Sequence, residues 1–255
     1  VLTKSVPDTE AAVTVDSSGD IRAGDKLVIN PWDEYAITEA ILIKEKHKVK
    51  VTIMTVGAEQ HNEALKHGLA IGCDQAFRLW DKALENHDSL TYAKAVAAAV
   101  QKLGDVDLVL FGRELPDIAS DAHIFQTARK LNWNLLGFVS KIEALDFTAK
   151  TIRVQRQVEQ GTEVANSRLP AVVSVLKGIN EPKYPTFIGI RKAAKAEIPV
   201  WGLADLGLAA VESKAQVTGY RELPRREGTV EIIDGATAQE KAAKLVEKLL
   251  AEKVL

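Results

Sequence analysis

The residues of this chain best equipped for chemistry are scattered along it. Its five histidines, His47, His61, His67, His87 and His123, do not fall at metal-ligand spacing. His61 and His67 stand on different faces of any helix that carries both. All five are expected to be surface or packing residues. The single cysteine, Cys73, follows Gly72 and adjoins no histidine, so it reads as a packed residue. Alone, it can form neither an internal disulfide nor a thiolate metal cluster. Ser17-Ser18-Gly19-Asp20 is superficially like a phosphate loop, but it lies between short strand-like runs and is better read as a hairpin turn. No G-x-G-x-x-G follows a strand, and no G-x-x-x-x-G-K-[ST] occurs. With neither a triad nor a working carboxylate pair, an enzyme doing its own bond chemistry is disfavoured.

Four segments at strand ends carry more information. They are Lys4-Ser5-Val6-Pro7-Asp8-Thr9, Asn30-Pro31-Trp32-Asp33-Glu34-Tyr35-Ala36, Val56-Gly57-Ala58 and Gly112-Arg113-Glu114-Leu115-Pro116-Asp117. Asn30 is placed to cap a helix, with Pro31 at its first position. Ligands of open α/β sheets lie beyond the carboxyl ends of the strands, so these four loops are expected to meet at one crevice.

The elements behind those loops alternate. Val51–Val56 reads as a buried strand, followed by a helix with Ala64, Leu65, Leu69 and Ile71 on one face. Ala76–Leu79 is a short strand; Ser89 is placed to cap a helix through Ala93, Val96, Ala97, Val100 and Leu103; Leu108–Phe111 is a further strand. Strand and helix in repeated succession imply a parallel sheet with right-handed crossovers. Phe138–Ile142 and Thr151–Arg156 alternate with period two, as antiparallel strands do, and the apolar Ala171–Val175 is suited to re-entering the main sheet. The reading is an α/β, Rossmann-like domain over residues 1–202 with a small antiparallel extension. A C-terminal arm over 203–255 carries the basic residues Arg221, Arg225 and Arg226. It is closed by a helix with a Thr237/Glu240 capping box and a stripe of Ala242, Leu245, Val246, Leu249 and Leu250 that needs something to pack on.

Charged residues make up 27% and apolar residues 46%, which excludes a disordered chain. With 33 Lys and Arg against 35 Asp and Glu, the net charge of −2 argues against a nucleic-acid binder. No apolar run is long enough to span a membrane. The opening Val1-Leu2-Thr3-Lys4 reads as a strand that has lost its first residues and not as a signal peptide. One cysteine fits a reducing compartment, the cytoplasm or a mitochondrial matrix.

Read in order, these segments resemble the β subunit of electron-transfer flavoproteins. The resemblance rests on K-x-V-P-D-T at Lys4 to Thr9, N-P-x-x-x-x-A at Asn30 to Ala36 and a run at Ala64 to Leu79. It continues through D-L-V-L-x-G-R at Asp107 to Arg113, L-P-A-V-V at Leu169 to Val173, and I-N-E-P-K-Y at Ile179 to Tyr184. A basic helix, Ile188 to Lys195, and A-D-L-G-L at Ala204 to Leu208 complete it.

The resemblance implies a heterodimer with an α subunit that holds most of an FAD, Thr9 and Trp32 of this chain facing the flavin. It implies a shuttle of electrons from flavin-dependent, acyl-CoA-type dehydrogenases to a membrane quinone oxidoreductase, with no catalytic residues in this chain. The arm is expected to wrap the α subunit. Tyr184, Phe187 and Ile188 correspond to the family's dehydrogenase-recognition segment, Phe187 being the anchor and Arg191, Lys192 and Lys195 a basic rim. An AMP pocket is implied at Leu2, Asn30, Trp32, Asp33 and Val56, with Glu114, Asp117, Ser120, Asp121 and His123 from the following loop.

That loop departs from the family's Gly- and Thr-containing phosphate cradle. The Thr, Gln and Gly equivalents are His123, Ala122 and Ile124; Asp121 is expected to repel an anion, a protonated His123 to offset it in part, and Ile124 to block close backbone approach. Gln157 also stands where the family carries a carboxylate facing the flavin domain. Three readings stay open beside the AMP-bearing carrier: an empty nucleotide site, an NADH-oxidising electron-bifurcating complex with a second FAD here, and a free-standing adenine-nucleotide enzyme of related fold. The last would need an S-G-G-x-D-S-type loop where Lys4-Ser5-Val6-Pro7-Asp8 stands.

Overall fold

The computed structural model describes residues 1–254 apart from Thr9, Asp25, Asn86, 210–212, 225–227 and Thr229. Two compact units are present, Val1–Tyr220 and Arg221–Leu255. The first contains strands β1 (Ser5–Pro7), β2 (Thr14–Val15), β3 (Ile21–Arg22), β4 (Leu27–Ile29), β5 (Thr52–Val56), β6 (Gln75–Leu79), β7 (Leu108–Phe111), β8 (Asn134–Asp146), β9 (Thr151–Val158), β10 (Gly161–Arg168), β11 (Ala171–Val175) and β12 (Val200–Trp201). Its helices are α1 (Pro31–His47), α2 (Asn62–Ile71), α3 (Ser89–Leu103), α4 (Ala122–Leu131) and α5 (Phe187–Ala194).

β12, β6 and β5 run parallel in that order, and β7, β11 and the start of β8 form a second parallel set. The segment Val1–Thr3 joins the two. Leu2 N–H donates to Leu110 O at 3.0 Å, Thr3 N–H to Met54 O at 2.9 Å, and Met54 N–H to Val1 O at 2.8 Å. β7 and β11, covered on both faces, are apolar at every position but Ser174, whereas β5 and β6 also carry Thr52, Thr55, Gln75 and Arg78. Ala171, Val173 and Val175 face one core with Ile37, Ile41 and Leu65, so α1 and α2 cover that side; Val172 faces the other with Val96, Val100, Ile124 and Ala128 of α3 and α4. The expected α/β sheet flanked by helices is therefore present.

β8 does two jobs. Its first half pairs parallel with β11, and beyond an irregularity near Phe138, which has a φ of +60°, it pairs antiparallel with β9; β9 pairs antiparallel with β10. Two local expectations are corrected. The capping residue of α3 is Asp88, whose carboxylate accepts the Thr91 N–H at 2.7 Å, and Ser89 is the first helical residue. Asp and Ser cap equally well, and the residue three before the N–H to be bonded takes the position. Nor is the segment after Lys4 a plain loop: Ser5–Pro7 pairs antiparallel with β4, and the Asp8 N–H carries the ribbon one step further by donating to Lys26 O at 3.2 Å. Ser17–Asp20 forms the expected turn between β2 and β3, tied by Asp16, which accepts the N–H groups of Ser18 and Asp20.

The second unit holds α6 (Ala238–Ala251), capped as the sequence implied: Thr237 Oγ1 accepts the Glu240 N–H at 3.2 Å, and Glu240 reaches back to the Ala236 N–H at 3.0 Å. Its Leu245, Val246 and Leu250 are exposed. Arg225 and Arg226 lie outside the described residues.

Leu2 is fully buried between the two parallel sets. Leu2→Ala is expected to cost about 2–5 kcal/mol of stability, the range for a buried Leu truncation, read as a lowered urea midpoint at unchanged slope.

Candidate functional site

The carboxyl ends of the parallel strands are stitched together by α1. Asn30 Oδ1 caps the helix at the Trp32 N–H, 3.0 Å away, while its Nδ2 donates to Glu114 O at 2.9 Å. The Asn30 N–H donates to Lys4 O at 2.9 Å. Asp33, buried in the first turn, accepts the Lys4 N–H at 3.0 Å and a further N–H from Gly112. Burial pushes its carboxyl up to about 7, against the pull of those backbone donors. Three of the four segments thus meet, and the polar groups of Asn30 and Asp33 are spent holding them together.

Lys4 reaches across the crevice to Asp117, Nζ to Oδ2 2.5 Å, and both side chains are about four-fifths covered. Around this pair stand three of the five histidines, a grouping the sequence did not announce. His61 follows β5 and packs directly on Gly57, whose φ is +150°; a Cβ there would lie 2.2 Å from the imidazole Cδ2, so only glycine admits the ring. His87 stacks on Tyr92 at 5.7 Å, and its Nδ1 lies 2.6 Å from Leu84 O, so that nitrogen bears the hydrogen and donates it. His123, 4% exposed, meets Tyr92 and Phe111 edge-on, at 5.1 and 5.6 Å. Nδ1 of both His61 and His123 is buried without a partner among the protein's own groups. His61 and His123 are pushed down to about 4, first by desolvation and then by the Lys4 charge; His87 shifts the same way, chiefly through burial.

These facts revise the expectations for the loop before α4. His123 is neutral at ordinary pH because it is buried beside a cation, so it does not offset Asp121. Ile124 is 1% exposed and points into the α3–α4 core, so it obstructs nothing in the crevice. Asp121 stands at the cap of α4 without a side-chain cap bond, and Ser120 Oγ accepts the Ala122 N–H at 3.3 Å. Leu115 and Ser120 pair backbone to backbone, which folds 115–120 into a tight turn with Ala119 at a φ of +45°.

Of the other residues named from sequence, Leu2 and Val56 are buried core positions, 1% exposed, beneath the crevice. Trp32 is half-buried, with the Arg113 guanidinium 5.3 Å from its ring centroid. Thr9 lies outside the described residues. Lys4, His61 and His87 were missed as members of one cluster. The available signal was positional: Lys4 and His61 each follow closely on a strand end. Cys73 is buried as expected, its thiol pushed up to about 12 by burial. Among the described residues no cluster of His, Cys, Asp and Glu is arranged to hold a metal ion, and no helix is long and apolar enough to cross a membrane.

A second surface lies at α5. Thr186 Oγ1 caps it at the Gly189 N–H, 3.0 Å away, and Gly189 sits so close to α2 that a Cβ would come 2.1 Å from Ala70 O. Upstream, Asn180 donates to Tyr35 O and Glu39, and the Lys183 N–H to Thr38 Oγ1. So anchored, the segment turns Tyr184, Phe187 and Ile188 outward at 92%, 73% and 80% exposure. Phe187 is therefore no part of this domain's core. Arg191 lies 5.9 Å from the Phe187 ring centroid, and Lys192 and Lys195 are exposed on the same segment.

The histidine shifts have a signed consequence. The unfolded chain takes up protons near 6.5 and the folded imidazoles only near 4, so their neutral form contributes stability above about 6.5 that is lost as pH falls toward 4. Asp33, raised from 3.8 to about 7, has the opposite slope, its contribution being present at low pH and lost as pH rises through about 7. A His61→Gln/His123→Gln double variant is accordingly expected to lose less of its urea midpoint than the parent between pH about 7.5 and about 5. Equal losses would show that the two rings are not held neutral.

Similarity to known proteins identifies the family. Residues 21–206 match the model of the electron transfer flavoprotein domain. The chain is 34% identical over 263 aligned residues to the caffeyl-CoA reductase-Etf complex subunit CarD of Acetobacterium woodii, covering 100% of this chain and 98% of the relative. It is 33% identical to the electron transfer flavoprotein subunit beta of Bacillus subtilis, over 99% and 97% of the two chains, and 29% identical to protein FixA of Azorhizobium caulinodans, over 89% and 82%. A match across most of the domain, with full-length relatives of this kind, places the chain in the electron transfer flavoprotein family, as a beta subunit.

Proposed function

We propose that this chain works as one half of a heterodimer, with a flavin-bearing α subunit, and carries electrons from flavin-dependent dehydrogenases to a quinone oxidoreductase. The observation that carries the reading is the apolar trio Tyr184, Phe187 and Ile188, held outward on a helix whose inner side is fixed by Gly189. A rigid, exposed aromatic with cations beside it has the make-up of a hot-spot anchor with a steering rim. The FAD of the α subunit supplies the redox chemistry. This chain contributes the half-buried Trp32 at the crevice mouth, the docking segment, and the exposed stripe of α6 as a surface for the α subunit. In a reducing compartment, cytoplasm or mitochondrial matrix, Cys73 would stay a thiol.

The crevice suits one phosphate group, and AMP is the nucleotide proposed for it. Lys4 and the unpartnered nitrogens of His61 and His123 are the groups that would meet an anion, while Asn30 and Asp33 keep the surrounding loops in register. A second reading, a complex with a further FAD bound here, is favoured by one observation: the relative CarD belongs to a caffeyl-CoA reductase-Etf complex. Against it, a dinucleotide would set two phosphates beside Glu114, Asp117 and Asp121, with Lys4 already paired to one of these acids.

Purifying the chain with its cognate flavin subunit and counting released ligands separates these readings. One flavin per heterodimer is expected; two would favour the second reading, and a stably monomeric chain that recruits no flavin subunit would overturn both. Phe187→Ala is expected to weaken reduction by a dehydrogenase by about 2 kcal/mol in kcat/KM, with assembly of the heterodimer intact. Unchanged electron transfer would remove Phe187 from the docking role.

A further inference from the structure

The crevice contains its own anion. Lys4 is the cation at its centre, and the carboxylate of Asp117 stands against it at 2.5 Å, carried on the tight turn that Leu115 and Ser120 close. The walls come from separate elements. His61 arrives from the short 3-10 turn Glu59–His61 after β5, His87 from the turn before α3, and His123 from the first turn of α4. The Lys4 charge acts on all three rings, Asp117 on His61, and Asp88 on His87. Asp33 lies under Lys4, Tyr92 between His87 and His123, and Arg78 donates to Gly57 O at 3.4 Å beneath His61. The ionised groups around the rings are thus the cations Lys4 and Arg78 and the carboxylates Asp117 and Asp88, with Lys4 the one cation that acts on all three rings, and the rings themselves are uncharged.

His123 supplies the observation that points to a ligand. Its ring is more than nine-tenths buried and its Nδ1 bonds to no protein group; Nδ1 of His61 is in the same position across the cluster. A buried imidazole nitrogen without a partner costs free energy, which an acceptor-rich ligand would recover by taking its proton-bearing form as a donor. A phosphate monoester is such a ligand: it offers several acceptor oxygens and a charge of about −2 near neutral pH, and that charge favours the protonated ring beside it.

We propose that this crevice is a proton-linked anion site, in which a phosphate monoester displaces Asp117 from Lys4 and the surrounding imidazoles take up protons as it binds. The proposal rests on the reading of the crevice as a nucleotide site and specifies how that site is regulated. Asp117 acts as a competitor within the chain, and acidity favours the ligand over it. The protons come from solvent, and no covalent bond changes. A tight phosphate site at low pH becomes a weak one at high pH, without any movement of the sheet.

The test is calorimetric titration of the heterodimer, freed of nucleotide, with AMP, adenosine and inorganic phosphate at pH about 6 and about 8, in two buffers of different ionisation enthalpy. AMP is expected to bind roughly tenfold more tightly at the lower pH with net proton uptake, while adenosine affinity stays flat. His61→Gln/His123→Gln should abolish most of the uptake. Asp117→Asn should tighten AMP binding several-fold at the higher pH, whereas a carboxylate that merely supported the loop would weaken binding when changed. AMP affinity independent of pH, or weakened by Asp117→Asn, overturns the proposal. If adenosine binds as well as AMP, the phosphate wall is inert and this inference fails while the nucleotide reading stands. If neither binds, the nucleotide reading fails with it. Inorganic phosphate that matches AMP in affinity and proton uptake upholds the anion site and makes free phosphate its source.

Discussion

The three residues Val1–Thr3 are hydrogen-bonded on both sides, to Met54 and to Leu110, and everything at the crevice depends on that double pairing. It turns two separate sets of parallel strands into one layer and fixes where the next residue, Lys4, emerges. The backbone of Lys4 is then held by Asp33 and Asn30, so its side chain starts from a defined point. A long, flexible side chain ordinarily loses much rotamer freedom when it is tied to one partner. Here the anchored backbone, the Gly57-packed His61 ring and the closed turn bearing Asp117 have already removed most alternatives. The electrostatics of the cluster follow from this placement, since burial of the rings first, and the Lys4 charge after it, suppresses their protonation.

Much of the architecture was legible in the sequence because the relevant signals are local. Apolar runs bounded by Gly57 and Gly112 marked β5 and β7, the Asn30-Pro31 pair marked the start of α1, and Thr237 with Glu240 marked the start of α6. The period-two runs after Phe138 marked the antiparallel extension. The cap of α3 slipped by one residue, because Asp88 and Ser89 are both good caps and only the backbone geometry decides between them. The pairing of Ser5–Pro7 with Leu27–Ile29 joins segments separated by a hairpin, and nothing in either run of three residues names the other.

The candidate site was readable as a place but not as a composition. The strand-end rule brought the correct loops together, yet it could not reveal that His61, His87 and His123 converge, since they belong to three elements and share no spacing. The resemblance implied ligand contact for Asn30 and Asp33, and the structure shows that their side chains are also bonded to neighbouring loops. A residue type shows what a side chain can bond to; the fold decides whether that capacity is already used. The same limit applies to Ile124, whose bulk is obvious in the sequence and whose direction is not.

The mounting of α5 has a consequence for how such a surface can change over time. Its inner face is constrained to the absence of a Cβ at Gly189 and to the buried Ala193, while Tyr184, Phe187 and Ile188 support nothing behind them. Substitutions at those outward positions therefore carry almost no penalty in folding, and under the docking role proposed above selection would act on them through the partner alone. In that role the scaffold would stay fixed while its lineage traded one partner for another, so divergence between such chains should concentrate in a few exposed side chains and spare the glycine beneath them.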